Sequence, residues 1–451
     1  MQRPHILYIH SHDTGRYIQP YGHGSYTPHL QRLAEEGTLF RNAHTVAPTC
    51  SPSRAALLTG QYPHQVGMLG LAHRGHQLDD PAQHAAALFG RHGYRSVLCG
   101  LQHEFNHAPE TVHACYQQVL PVGEDAIARG RAAADYLKAH AESEQPLFMS
   151  IGFFETHREF PTDLAEGIDP RYLSLPAPIP DREATRRDMA EYHTMAHQMD
   201  EGIGLVLEAL DQTGLASQTL VIYTTDHGLA FPEMKCQLTQ HGTGVAMIWR
   251  GPSEGAGAAL NGGQCVDAMV CHLDVLPTWC EVAGIDPPAE CEGQSLLPLV
   301  RGERKTQHDV IFGEVTYHAA FEPKRSVRTD RWLYVRRYGK RNRAILPNCD
   351  ASLSKSRWLA SGGADRELPV EALYDTQLNP GESQNLAADP AFAEVLHAMR
   401  ERLNCWMERT GDPLLSGQLI PRRLLIDDED ATDPGEMLWY LYPDGHRERK
   451  R

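Results

Sequence analysis

The chain has 451 residues, with 42 Lys or Arg against 58 Asp or Glu, a formal net charge of −16. That length suits one large α/β domain plus a smaller one, and the acidic balance argues against nucleic acid or an anionic membrane as the main partner. No apolar run approaches the ~20 residues that span a bilayer. Met1-Gln2-Arg3-Pro4 leads straight into a strand-like run with no secretory pattern. Ten cysteines in a chain this long do not indicate a disulfide scaffold, and Cys265, Cys271, Cys280 and Cys291 lack the spacing of zinc motifs. They read as reduced thiols, and the expected location is cytoplasmic.

Taken along the chain, short apolar runs at 6–9, 96–99, 147–153 and 220–224 read as buried parallel strands. Helix-like stretches separate them at 28–36, 82–92, 124–139 and 186–210. This alternation predicts a layered α/β fold. Polar residues follow each strand directly: His12 and Asp13, His103, His157, then Asp226 and His227. In open α/β sheets such strand ends share one edge, where ligands bind, so distant residues should meet in one pocket. The Gly/Ala-rich stretch 253–264 has no phosphate-binding pattern and reads as a surface connection. After about residue 310 the pattern changes: a hairpin over 327–335, a turn at Asn379-Pro380-Gly381-Glu382 and a helix over 390–409 predict a small C-terminal sheet-plus-helix subdomain, residues 311–451, behind a catalytic domain of residues 1–310. Residues 420–451 are charged and turn-rich, as expected of a peripheral tail or a contact in a homo-oligomer.

The most informative stretch is Cys50-Ser51-Pro52-Ser53-Arg54. Pro52 suits a first helical turn, the Ala-Ala-Leu-Leu run continues it and Gly60 reads as its stop. Cys50 should then sit at a helix N-terminus, where free N–H groups favour anions, with Arg54 as a cation able to fork onto a sulfate or phosphate. By itself this could also be a buried cysteine beside an ordinary helix cap.

The pentapeptide resembles the signature of type I sulfatases, and the likeness extends over most of the chain. Within that family, 67–71, Phe154-Glu155-Thr156-His157-Arg158 and the segments 313–317 and 325–328 look closest to the sulfamidase (heparan N-sulfatase) branch. The resemblance implies an alkaline-phosphatase-like fold: a large, mostly parallel mixed sheet between helices, with a smaller C-terminal antiparallel sheet plus helix. It implies that Cys50 is oxidised to formylglycine by a formylglycine-generating or maturase enzyme, and that the hydrated aldehyde is the nucleophile. Positions matching the family's metal ligands are His12, Asp13, Asp226 and His227. His12 stands where an acid is usual, which tilts the expected divalent metal from Ca²⁺ towards Mn²⁺; a hydrogen bond from His12 to Asp13 is the other reading of that residue.

The same resemblance implies roles for Arg54 in offsetting charge on the sulfuryl oxygens, for His103 as base on the diol, and for His157 or Lys235 in protonating the departing atom. Leu101, in Gly100-Leu101-Gln102-His103, replaces a family lysine and removes one cation from the anion site. Glu314, His318 and Arg325 are candidates to line a sugar pocket. His64, His73, His76 and His107 are left without a role. The expected activity is hydrolysis of a sulfate ester or sulfamate of a small anionic substrate, with a sulfated sugar among the candidates. Two rivals are a phosphodiesterase or phosphonate monoester hydrolase of the same superfamily, and an inert anion-binding protein with unconverted Cys50.

Overall fold

The structure, a computed structural model, describes residues 3–106, 109–416 and 423–449. His107 therefore lies outside the described residues, as do 417–422 and 450–451 of the expected tail.

Eight strands form the main sheet: β1 (His5–Ser11), β2 (Thr38–Phe40), β3 (Arg95–Gly100), β4 (Gln118–Leu120), β5 (Leu147–Gly152), β6 (Thr219–Thr225), β7 (Met247–Arg250) and β8 (Gln264–Val266). Their order is β4-β3-β5-β1-β6-β7-β2-β8, and only β7 runs against the rest. The sheet is mostly parallel, as expected. Parallel strands need both faces covered, and the side-chain period of two supplies this. Ile6, Tyr8, Phe148, Leu220 and Ile222 pack on one side with α2 (Cys50–Thr59), α3 (Ala85–Arg91) and α6 (Val275–Ala283). Leu7, Ile9, Met149, Ile151, Val221 and Tyr223 face the other side, against α1 (Pro28–Glu36), α4 (Ala126–His140) and α5 (Glu183–Thr213).

The four expected strands and α1 fall where the sequence pattern places them. The helix expected over 82–92 is broken: a 3₁₀ turn, Pro81–Gln83, precedes α3. His84 between them is extended and its Nδ1 accepts the N–H of Ala86, capping α3. The long helix runs beyond 186–210 to Thr213, where Gly214 takes φ 74° and ends it. The 253–264 connection holds a 3₁₀ turn, Ala256–Leu260.

A second, antiparallel sheet begins at Ile311: β9 (Ile311–Tyr317), β10 (Phe321–Arg328), β11 (Trp332–Arg337) and β12 (Glu371–Asp375), hydrogen-bonded in chain order. Between β11 and β12 runs α7 (Leu353–Ala360), and α8 (Ala393–Thr410) follows the sheet. Leu396, Leu403 and Trp406 of α8 pack with Val327, Tyr334 and Leu373, and Ala56 of α2 joins this cluster from the main domain. The described part of the tail is a small sheet, Leu425–Asp427, Trp439–Leu441 and Arg447–Arg449. Among the described residues no helix is long and apolar enough to cross a membrane.

Candidate active site

Because β1, β3, β5 and β6 are parallel, the segments that follow them leave one edge of the sheet. His10 and Ser11 stand opposite Thr224 and Thr225 in register, which brings the two metal-candidate pairs side by side. Asp13 turns through a left-handed backbone, φ 56°, and its N–H donates to Asp226 Oδ1 at 2.8 Å. The same oxygen accepts the N–H of His227 at 2.9 Å. The loops are thus stitched through one carboxylate.

His12, Asp13, Cys50, Asp226 and His227 are buried, and one ligand atom from each lies within 4.8 Å of all the others. His12 Nδ1 is 2.8 Å from Asp13 Oδ1 and 3.2 Å from Asp226 Oδ2. His227 Nδ1 donates to the carbonyl of Gly228 at 2.9 Å, an assignment that follows from its acceptor-only partner. In the neutral ring Nε2 then carries a lone pair. That lone pair faces Asp13 Oδ1 at 3.2 Å and Asp226 Oδ2 at 3.8 Å. A divalent cation placed between this lone pair and the two carboxylates would offset their mutual repulsion, so the donor set fits a divalent metal. The Gly228 bond is the kind of outer contact that orients an imidazole ligand. Burial pushes His12 down to about 4 against the pull of Asp226 and Asp13, keeping the ring neutral as ligation requires. Asp13 is held well below the carboxylate range: burial would raise it, but Lys235 and the neighbouring imidazoles outweigh that.

Cys50 opens α2, with Thr49 as N-cap, and Gly60 at φ 69° closes it. Its Sγ is 3.3 Å from His227 Nε2. Burial pushes the thiol well above its ordinary value, so the unmodified side chain is neutral. Arg54 follows one turn later on the same helix face. Its fork closes on internal partners: Asp226 Oδ2 at 2.9 Å, the Ser11 carbonyl at 2.8 Å and His10 Nδ1 at 2.5 Å. The sequence pointed this guanidinium at the substrate anion; the structure turns it onto Asp226 and the end of β1.

Lys235 Nζ donates to Asp13 Oδ2 at 2.8 Å and also contacts Asp350 Oδ2 at 3.4 Å. Burial disfavours the ammonium, but Asp13 and Asp350 outweigh it and raise Lys235 well above its ordinary value. His157 Nδ1 donates to the Arg158 carbonyl at 2.6 Å, leaving Nε2 4.0 Å from Asp13 Oδ2. His103 Nδ1 lies 3.3 Å from His12 Nε2, and its Nε2 lies 3.1 Å from His73 Nδ1. Leu101 sits just past β3, its N–H donating to the Gly152 carbonyl.

The three expected sugar-pocket residues separate. His318 Nδ1 is 3.3 Å from Asn348 Oδ1, and burial together with the charge of Lys235 pushes the ring well below its ordinary value. Glu314 and Arg325 are placed elsewhere, in a buried ion network. Glu314 bonds His64 Nδ1 at 3.0 Å and lies 3.4 Å from Arg325, whose Nε donates to Asp412 at 2.5 Å. Both side chains are sealed between β9, β10 and the end of α8, a position that meets internal partners instead of a sugar. Asp350, missed in the sequence, is brought to the site instead. It sits on an aperiodic loop with no motif to mark it.

A buried acid–imidazole cluster fit to hold a metal, at the carboxyl edge of a mostly parallel sheet and with a candidate nucleophile on an adjoining helix N-terminus, is the arrangement of a hydrolase of the alkaline-phosphatase fold. The chain belongs to the sulfatase family: the family model "Sulfatase" matches residues 4–285. A second model, "N-sulphoglucosamine sulphohydrolase, C-terminal", matches residues 252–349. Human N-sulphoglucosamine sulphohydrolase is 29% identical over 443 residues, covering 86% of each chain. The solved structure of a 2-O GAG sulfatase superposes with a TM-score of 0.69 at 23% identity, covering 92% of this chain and 94% of that one. The phosphonate monoester hydrolase of Agrobacterium radiobacter shares the fold, with a TM-score of 0.68 at 20% identity, covering 93% and 98%.

Proposed function

We propose that this sulfatase removes sulfate from an O-sulfated or N-sulfated sugar. The observation that carries the reading is Cys50 Sγ at 3.3 Å from His227 Nε2, inside the buried cluster with Asp13 and Asp226. The sugar class rests on the relatives, whose names are those of an N-sulphoglucosamine sulphohydrolase and a 2-O GAG sulfatase.

His12, Asp13, Asp226 and His227 would hold one divalent ion, Mn²⁺ in preference to Ca²⁺ given the two imidazoles. That ion supplies Lewis-acid charge, and a maturase-converted Cys50 supplies the hydroxyl of a hydrated aldehyde. The chain's own residues do the rest. Arg54 fixes Asp226 and the end of β1. Lys235 presents a fully charged ammonium to the transferred group. With Nδ1 committed to a carbonyl, His157 exchanges its working proton at Nε2, facing the departing atom. His103, flanked by His12 and His73, accepts a proton on the inner side of the pocket. A cytoplasmic setting belongs to the same proposal, supported by ten free cysteines.

The test is turnover by enzyme whose residue 50 is verified by intact mass. N-sulfoglucosamine and O-sulfated sugars are set against a phosphodiester and a phosphonate monoester of matched leaving group. Sulfated sugars are expected to have the highest kcat/KM. Preference for the phosphodiester or phosphonate would overturn the reading in favour of the rival chemistry that the same fold carries.

A further inference from the structure

Lys235 has two carboxylate partners in different environments. Asp13 is fully buried at 2.8 Å, whereas the Asp350 side chain is 23% exposed at 3.4 Å. Asp350 thus lies on the solvent side of the ammonium, while Asp13 and the metal-candidate cluster lie on its inner side. Carboxylate and imidazole atoms of Asp13, His157 and Asp350 also fall within 4.8 Å of one another. Asp350 is therefore beside His157, the imidazole to which the proposed function gives the departing atom.

The loop carrying it is anchored to the second sheet. Asn348 Oδ1 accepts the N–H of Ala319 at 3.0 Å, and Nδ2 donates to Glu322 Oε2 at 2.8 Å. Lys235 holds Asp350 ionised, down to about 2, despite burial. A fixed negative charge at the mouth of a site for anions works against any ligand that offers it only acceptors. It becomes favourable where the ligand offers O–H or N–H donors, because a hydrogen bond to a charged acceptor is stronger than one to a neutral group.

Building on the sulfate-removing reading, we infer that Asp350 sets specificity on the leaving-group side. It accepts hydrogen bonds from a hydroxyl or amine next to the transferred group, and it rejects a second anionic substituent at that place. The favoured substrate class is a sugar carrying one sulfate flanked by such donors, not one with adjacent sulfates.

The experiment compares wild type with the isosteric Asp350→Asn on three substrates: a monosulfated sugar with a free neighbouring hydroxyl or amine, its analogue with a neighbouring second sulfate, and 4-nitrophenyl sulfate, which has no donor. Wild type is expected to prefer the first sugar over the second by at least tenfold in kcat/KM. Asp350→Asn is expected to lose at least tenfold on the first sugar, chiefly through KM, to gain on the second, and to lose at least threefold less on 4-nitrophenyl sulfate than on the first sugar, since the changed pairing of Lys235 touches all three substrates alike. Equal losses on all three substrates would overturn the inference, because Asp350 would then act only by positioning Lys235. No change on any would place it outside the site. Wild type preferring the doubly sulfated sugar refutes it without a variant. If sulfates are poor substrates and phosphodiesters good ones, the function proposal fails alone, and the same comparison on phosphodiesters with and without a neighbouring hydroxyl decides the role of Asp350.

Discussion

Arg54 Nη2 lies 2.9 Å from Asp226 Oδ2 with neither side chain reaching solvent, so the one charge of the Cys50 pentapeptide is spent inside the protein. Asp226 in turn stitches the His12-Asp13 and Asp226-His227 loops together. The guanidinium is thereby a support for the metal-candidate cluster as well as a charge near it.

Removing that support leaves Asp226 buried beside an uncompensated partner set. Arg54→Met is expected to lose about 3–5 kcal/mol of stability. Adding Asp226→Asn should recover part of it, because the two losses are coupled. Urea unfolding of the four proteins of the cycle measures this; purely additive losses would contradict the coupling.

Cys50→Ala removes only a sulfur atom from the first turn of α2. The variant should fold, with stability lowered by no more than the ~0.5–3 kcal/mol common for single substitutions, yet lose turnover entirely. Circular dichroism and kcat on a preparation free of contaminating hydrolases check both halves. Residual activity near that of the wild type would rule out residue 50 as nucleophile.

His12 supplies the imidazole that stands beside both carboxylates. His12→Asp should shift the ratio of Ca²⁺ to Mn²⁺ affinity at least tenfold towards Ca²⁺, since a hard cation prefers oxygen. Calorimetric titration of each ion into metal-stripped wild type and variant reads the ratio directly. An unchanged ratio would make His12 an outer partner of Asp13 instead of a ligand.

His64 and Glu314 join the main domain to the second sheet. Burial works to lower His64, but the Glu314 charge and hydrogen bond outweigh it and the ring is raised. Protonated His64 therefore contributes stability that is complete below its unfolded value of about 6.5 and is lost as pH rises through its higher folded value. Glu314 is lowered: burial would raise it, but His64 and Arg325 prevail, so its share is lost only as pH falls through that depressed folded value. His64→Gln should accordingly cost more stability at pH 5.5 than at pH 9. Denaturant midpoints of wild type and variant at the two pH values test this, and an equal gap at both would count against it.

Much of the scaffold was legible because it is local. Continuous apolar runs along 6–9 and 220–224 mark strands whose two faces must both be covered. Gly60 marks the end of the helix that begins at Cys50, since it alone meets the left-handed stop without a Cβ penalty. Asp226 and His227 could be assigned to the pocket because parallel strands all end on the same edge. What the sequence determined by itself is thus the layered sheet, the helix that presents Cys50 and the edge where the polar residues gather. The tertiary structure alone decided the partners: Arg54 faces Asp226, 172 positions away, Lys235 meets Asp350 across 115, and Glu314 bonds His64 across 250. Periodicity constrains neighbours within a few residues of one another. Which charge is buried against which is settled only when separate elements pack and each buried polar group must find its partner in that one arrangement.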